Sequence, residues 1–256
     1  MDAFFRLCLT VCPLVFLAGF VDSVAGGGGV ISLPAYLLAG LPAHFAAGTN
    51  KVVNGMGTLI AAVKYFRGGR IALRPALLAA AAALAGSAAG TSLAVFFSET
   101  ALKTLLLAAL PAIAVFLIVK KDFGQSEAPA RPLSSRREAL LSIVTGLLIG
   151  CYDGLIGPGT GTLLIMAFTG FLSMDLLTAS GCAKVVNLAS NVAAAVVWIM
   201  NGQVLWELAL PAAACSVLGN FLGARFALRG GSRRVRGMMF LVLGLLFLKM
   251  LYDLLF

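Results

Sequence analysis

The tetrapeptide Lys51-Val52-Val53-Asn54 returns unchanged as Lys184-Val185-Val186-Asn187 in this chain of 256 residues. Each lysine stands in an apolar run away from the other basic residues. A lone ammonium at a bilayer centre costs about 2.5–3.5 kcal/mol, so it turns inward and takes a partner. On a helix Asn54 lies one turn beyond Lys51, and Asn50 four residues before Asn54; Asn187 and Asn191 follow Lys184 in the same manner. Each helix then presents an ammonium and amide donors on one face, which suits charge-assisted binding of an oxyanion. Asp22 and Asp153, also symmetrically placed, keep other readings open. They could pair structurally, Asp22 with Lys51 and Asp153 with Lys184, or carry a coupling proton. Lys51, near its helix start, could also snorkel to the interface.

Two glycine-rich breaks accompany the lysines, Ala25 to Gly29 and Gly157 to Gly161. Glycine lets backbone approach a ligand closely. A short helix starting after each break would aim free N–H groups and its positive dipole end at that ligand. The candidates here are Gly27, Gly28 and Gly29, with Gly159, Thr160 and Gly161 in the second half. The competing reading is tight helix packing, the better account of Gly86/Gly90 and Gly219/Gly223. No Gly-Lys-Ser/Thr follows either break, which excludes a phosphate loop.

The elements that position these residues must lie in a membrane. Hydrophobic residues make up 61% of the chain and charged ones 11%, against about a quarter charged in soluble proteins. The mean hydropathy is +1.01. No soluble fold hides that much apolar surface. At roughly 20 residues per spanning helix the chain has room for at most about ten spans. Apolar runs are read at Phe4–Val21, Val30–Leu41, Phe45–Phe66, Ile71–Phe97, Leu102–Val119, Ala139–Ile156, Thr162–Leu172, Leu177–Met200, Val204–Phe226 and Met238–Phe256. Val30–Leu41 and Thr162–Leu172 are too short to span and suit half-helices held inside protein. The first run is read as a mature helix, although Ser23-Val24-Ala25 resembles a signal-peptide cleavage site.

The chain is a duplication. Gly19-Phe20-Val21-Asp22 answers Gly150-Cys151-Tyr152-Asp153. At the offset of the repeated tetrapeptide, Tyr65 matches Trp198, Gly69 matches Gly202 and Lys103 matches Arg236. Residues 1–121 form the first repeat, 122–138 a cytoplasmic linker and 139–256 the second repeat. Of the 19 Lys and Arg, fourteen fall in three segments: Lys64 to Arg74, Lys120 to Arg137 and Arg225 to Arg236. The positive-inside rule places all three in the cytoplasm. The basic loop at Arg70 corresponds to the loop at Gln203, which lacks Lys and Arg, and the Arg233 loop corresponds to the weakly charged one at Glu99. Equivalent loops thus lie on opposite sides. The expectation is an all-α integral membrane protein of two inverted repeats, about five helical segments each, with both termini outside. Cytoplasmic flanks account for the net charge of +9 without any nucleic acid.

The stretch Gly26-Gly27-Gly28-Gly29, Pro34, Gly40, Pro42, Gly48-Thr49-Asn50, Tyr65 and Gly69-Arg70-Ile71 resembles the first-repeat signature of the TauE/SafE sulfite-exporter family. Gly157-Pro158-Gly159-Thr160-Gly161 and the second Lys-Val-Val-Asn are similar to that family's second repeat. The resemblance implies a secondary transporter in the bacterial inner membrane that exports small sulfur-containing anions such as sulfite or organosulfonates. It adds Thr49 to the candidate substrate contacts. Gly181-Cys182-Ala183 departs from the usual glycine-threonine-asparagine, so the two halves are expected to be unequal, with the Lys51 side dominant.

The five cysteines (Cys8, Cys12, Cys151, Cys182, Cys215) form no CxxC pair, and His44 is the single histidine, so neither metal site nor disulfide framework is read. An alternative function is a membrane-embedded sulfur-handling enzyme or thiol relay using Cys151 and Cys182, Cys182 lying two residues before Lys184. His44 reads as plain surface. Trp198, Trp206, Tyr65 and Tyr152 read as interfacial aromatics. No cofactor is called for. The expected partners are a small anion and the bilayer, and a homodimer stays open.

Overall fold

Alanine- and leucine-rich runs punctuated by glycine and proline become nine helices in the computed structural model, which describes residues 3–119 and 134–255. They are α1 (Ala3–Ala25), α2 (Gly29–Leu38), α3 (Ala43–Arg67), α4 (Leu73–Val95), α5 (Glu99–Val119), α6 (Ser135–Leu155), α7 (Thr160–Leu172), α8 (Leu176–Met200) and α9 (Trp206–Leu255). No strand occurs among the described residues. Most of the expected linker, with Arg131, lies outside them, as do Lys120 and Lys121 before it. Its last residues form the first turn of α6, capped by the Ser134 hydroxyl, which accepts from the Arg137 N–H at 3.4 Å.

Five of the described helices, α1, α4, α6, α8 and α9, are long and apolar enough to cross a bilayer. At 25 residues α3 matches α8 in length. It is less apolar because it carries Asn50, Lys51, Asn54, Lys64 and Arg67. The short runs become α2 and α7, of 10 and 13 residues. Between Phe226 and Met238 α9 is two helices joined at a kink, so the expected break between the last two runs is present. It falls at Gly231 (φ 62°, ψ −163°), with the arginine-rich residues on either side helical. That conformation is open to glycine. The Arg234 guanidinium, 4.5 Å from the Phe226 ring centroid, donates to the Phe226 carbonyl at 3.1 Å across the break.

Tight backbone approach sets the packing. α1 lies chiefly on α9, and α6 chiefly on α4. A Cβ at Gly86 or Gly90 would collide with the carbonyls of Leu147 and Cys151; one at Gly219 or Gly223 would collide with those of Phe16 and Phe20. Phe16 and Phe20 occupy the positions that match Leu147 and Cys151 in the sequence duplication, so both interfaces set matching carbonyls against matching glycines; at Gly223 the Ser23 hydroxyl comes closer still. Small residues serve here because lipid supplies no hydrophobic drive between helices, and close van der Waals approach replaces it.

Two apolar cores flank the centre. Tyr65 packs in one with Val24, Ile165 and Phe168. Its counterpart Trp198 packs in the other with Tyr36 and Leu208. Both rings are buried, so they are core residues and not members of an interfacial belt; only Trp206 is exposed among the tryptophans. His44 also differs from a plain surface residue. It sits in the first turn of α3, its Nδ1 2.9 Å from Glu99 and its ring edge-on to Trp198. Glu99 accepts as well from the Ala43 N–H, tying α5 to the start of α3.

Candidate functional site

The two glycine breaks meet at the centre of the bundle. Gly26 (φ 79°), Gly157 (φ 94°) and Gly159 (φ 79°) take left-handed conformations that end one helix and turn the chain into the next. Gly26 and Gly161 press together so closely that neither could carry a Cβ. The Thr162 N–H donates to the Gly26 carbonyl at 3.2 Å, and the Thr162 hydroxyl to the Ala25 carbonyl at 2.9 Å. The next helix, α8, opens under an Asp175 cap, whose side chain accepts from the Leu177 and Thr178 N–H groups. Helices α2 and α7, by contrast, start from Gly28 and Gly159 with no side-chain cap. Most of their first-turn N–H groups bond to nearby carbonyls, Ile31 and Ser32 to Gly28 and Thr160 to Gly157, while those of Gly29 and Gly161 make no such bond among the described residues.

Around this junction the lysines find carboxylates in the opposite half. Lys51 Nζ lies 2.8 Å from Asp153 Oδ2. Lys184 Nζ lies 2.7 Å from Asp22 Oδ2. Pairing within a half, Asp22 with Lys51 and Asp153 with Lys184, is therefore incorrect. Both ammoniums also donate to the backbone carbonyl of their aspartate, close to the C-terminal ends of α1 and α6, where the helix dipole favours a cation. Lys51 is 5% exposed and Lys184 0%, so neither snorkels. Two lysines and two aspartates leave the centre with no net formal charge.

The amides also pair along their helices. Asn54 donates to Asn50 at 3.1 Å and Asn191 to Asn187 at 3.2 Å. Among the described residues the amino groups of Asn50 and Asn187 have no hydrogen-bond acceptor, and both residues line a shared cavity.

That cavity is lined by Asp22, Asn50, Lys51, Asn54, Asp153, Thr160, Asn187 and Asn191, together with Gly26, Gly29, Gly157, Gly159 and Gly161. Four expected residues stand outside the wall. The Lys184 ammonium lies behind Asp22. Gly28 packs against Ala18 and the Asp22 side chain, and Gly27 only carries a turn, its carbonyl accepting from the Val30 N–H. The Thr49 hydroxyl accepts from the Leu205 N–H at 3.0 Å at the start of α9. Sequence reasoning missed Gly26 and Gly157 as lining residues, and Ser190, whose hydroxyl donates to Asp153 Oδ2. Ser190 shares a face with Asn187 and Asn191; the comparison of repeats hid it because Gly57 occupies the matching position.

The two thiols of the relay alternative take no part in this centre. Cys151 lies against Gly90 in the α4–α6 interface. Cys182 is buried with its Sγ 3.3 Å from the Ala72 N–H, while the Lys184 ammonium is held by Asp22. Among the described residues no cluster of His, Cys, Asp and Glu is arranged to hold a metal.

Membrane-length helices that converge two helix breaks, two buried ion pairs and four amides on one cavity define a multi-pass membrane protein of the transporter class. The family model described as "Sulfite exporter TauE/SafE" matches residues 11–250, and the chain belongs to that family. It is 33% identical over 252 residues to a "Probable membrane transporter protein ORF9" of Sinorhizobium sp, covering 98% of this chain and 95% of the relative. It is likewise 33% identical over 257 residues to a "Probable membrane transporter protein" of Haemophilus influenzae, covering 99% and 98%. The "Probable membrane transporter protein YfcA" of Escherichia coli K12 is 28% identical over 240 residues, covering 94% and 88%. No solved structure matches the chain significantly.

Proposed function

We propose that this membrane transporter is a secondary exporter of small sulfur-containing anions, such as sulfite or organosulfonates, across the bacterial inner membrane. In this reading residues 1–121 and 139–256 are inverted repeats joined by a cytoplasmic linker at 122–138, and both termini are periplasmic. The observation that carries the proposal is the cavity itself. Lys51, Asn50 and Asn187 line one space together with the first residues of α2 and α7, Gly29 and Thr160, where the helix dipoles add positive potential. Oxyanions are bound by such donors, and broken helices at a repeat interface are where transporters hold substrate. Asp22 and Asp153 serve as counter-ions that keep the lysines tolerable in the absence of substrate.

The free volume open to the centre of a water-sized sphere is about 20 Å³, room for one or two waters. A sulfur oxyanion needs more, so loading requires the walls to part. The meeting of Gly26 with Gly161 is the natural place. It joins the halves by backbone contact and hydrogen bonds, with no interlocking side chains at that point.

Flux assays in proteoliposomes test the proposal. Labelled sulfite, sulfate, thiosulfate, methanesulfonate and a carboxylate are compared for the wild type and for Lys51→Met and Lys51→Arg. Sulfite or sulfonate flux is expected, falling to background in Lys51→Met. Arginine keeps the charge but its planar fork misfits a compact site, so Lys51→Arg should be impaired as well. Unchanged flux in Lys51→Met would overturn the site assignment. Replacing all five cysteines by alanine should leave flux intact; its loss would revive the thiol relay.

A further inference from the structure

The two carboxylates at the cavity are not equivalent. Asp153, 3% exposed, accepts from the Lys51 ammonium and the Ser190 hydroxyl, and lies 2.7 Å from the Thr160 hydroxyl, whose one proton is shared with the Gly157 carbonyl, also at 2.7 Å. Asp22, 14% exposed, accepts from one among the described residues, Lys184. Its hydroxyl partners are absent because glycines replace them. Gly29 opens α2 where Thr160 opens α7, and Gly57 answers Ser190 at the spacing that matches Lys51 with Lys184. Packing maintains the difference. A Cβ at Gly57 would collide with the Ser216 hydroxyl and the Asn220 amide, and one at Gly29 would crowd Pro158.

Hydrogen bonds donated to a carboxylate stabilise its ionised form. Lys51 and Ser190 donate to the Asp153 carboxylate and Thr160 shares its proton with it, whereas Asp22 has Lys184 alone among the described residues. The centre is formally neutral, so a bound monoanion leaves an uncompensated negative charge in a site shielded from water. One proton restores the balance. Resting on the anion reading above, we infer that Asp22 takes up one proton for each monoanion bound, while Asp153 remains the fixed counter-ion of Lys51. A proton from the bulk solution is relayed through cavity water, which is left neutral, to an Asp22 carboxylate oxygen and leaves the centre one positive charge to offer the anion. Lys184 stays anchored meanwhile, because it also donates to the Asp22 backbone carbonyl at 2.5 Å.

The charged groups turned toward Asp22 are Lys184 from α8 and, across the cavity, Lys51 from α3 and Asp153 from α6. The Tyr65 hydroxyl of α3 is engaged by the Ser23 carbonyl at 3.0 Å. Helix α7 has no ionisable side chain, and α2 has only Tyr36, beside Cys12 and Cys215. On α9, Arg225 and Arg229 lie toward Lys64.

Infrared titration of the ligand-free protein in nanodiscs tests the carboxylate directly. Acidification across the pH range of the binding assays should raise an acid-carbonyl band that vanishes in Asp22→Asn and persists in Asp153→Asn. Survival of that band in Asp22→Asn overturns the inference. The double variant Thr160→Val with Ser190→Ala leaves Asp22 intact, so it decides the matter even where Asp22→Asn fails to fold. It should bring a second band alongside the first, and its absence would also overturn the inference. Calorimetry with methanesulfonate, whose own acid group does not titrate in this range, reads the linkage. One proton should enter per anion in the wild type, affinity falling about tenfold for each pH unit above the titration. Asp22→Asn should show neither effect, and continued proton uptake by that variant refutes the assignment. If the wild type binds no methanesulfonate, the anion reading fails for sulfonates, while the infrared result still decides the role of Asp22.

Discussion

Lys51 and Asp153 stand 102 residues apart in the chain yet meet at 2.8 Å. Removing one partner of a buried ion pair strands the other and costs about 3–5 kcal/mol. Lys51→Met should therefore lower stability by roughly that amount. Asp153→Asn in the same chain should recover most of the loss, and Asp22→Asn should not. Thermal unfolding of the four proteins checks this; recovery through Asp22→Asn would mean that the pairs close within each half. The ammoniums, amides and aspartates were all legible from polar residues recurring at helical spacing in apolar runs. The partner of each lysine was not, because duplicate positions are equally consistent with pairing inside or across the halves. Thr49 shows the same limit: its polarity was visible, but its direction depends on where Leu205 falls.

At the scale of elements, run length and glycine position predicted the short helices α2 and α7 closely, since a dozen apolar residues cannot span and a glycine run cannot continue a helix. The break between the last two runs was legible and falls at Gly231, although the arginine-rich residues around it are helical, because such a stretch at a membrane surface satisfies a helix as well as a loop. The small-residue interfaces carry their own prediction. Gly90→Ala places a methyl against the Cys151 carbonyl, and relieving such an overlap costs about 1–3 kcal/mol. Gly237→Ala, which meets nothing within 4 Å, is the control. The first should lower the melting temperature and the second leave it unchanged or slightly raised; equal effects would mean that the α4–α6 contact is looser than described.

For the whole molecule, composition and hydropathy alone marked an all-helical membrane protein, whereas its orientation in the bilayer rests on the distribution of arginine and lysine. Cysteines introduced as Arg70→Cys and Gln203→Cys, in a background without native cysteines, should react with impermeant reagents from opposite sides of the membrane. Labelling from one side would remove the inverted arrangement. The crossed ion pairs have a further consequence for biosynthesis. A ribosome delivers Asp22 and Lys51 to the membrane before Asp153 and Lys184 exist. The half-made protein holds one charge of each sign whose eventual partners are still untranslated. Those two are free to neutralise each other while they wait, and must then exchange companions when the second half arrives. Either half synthesised alone keeps only the stand-in. Co-expressed halves should therefore rescue each other's abundance in the membrane, whereas each half by itself is a substrate for quality-control proteolysis.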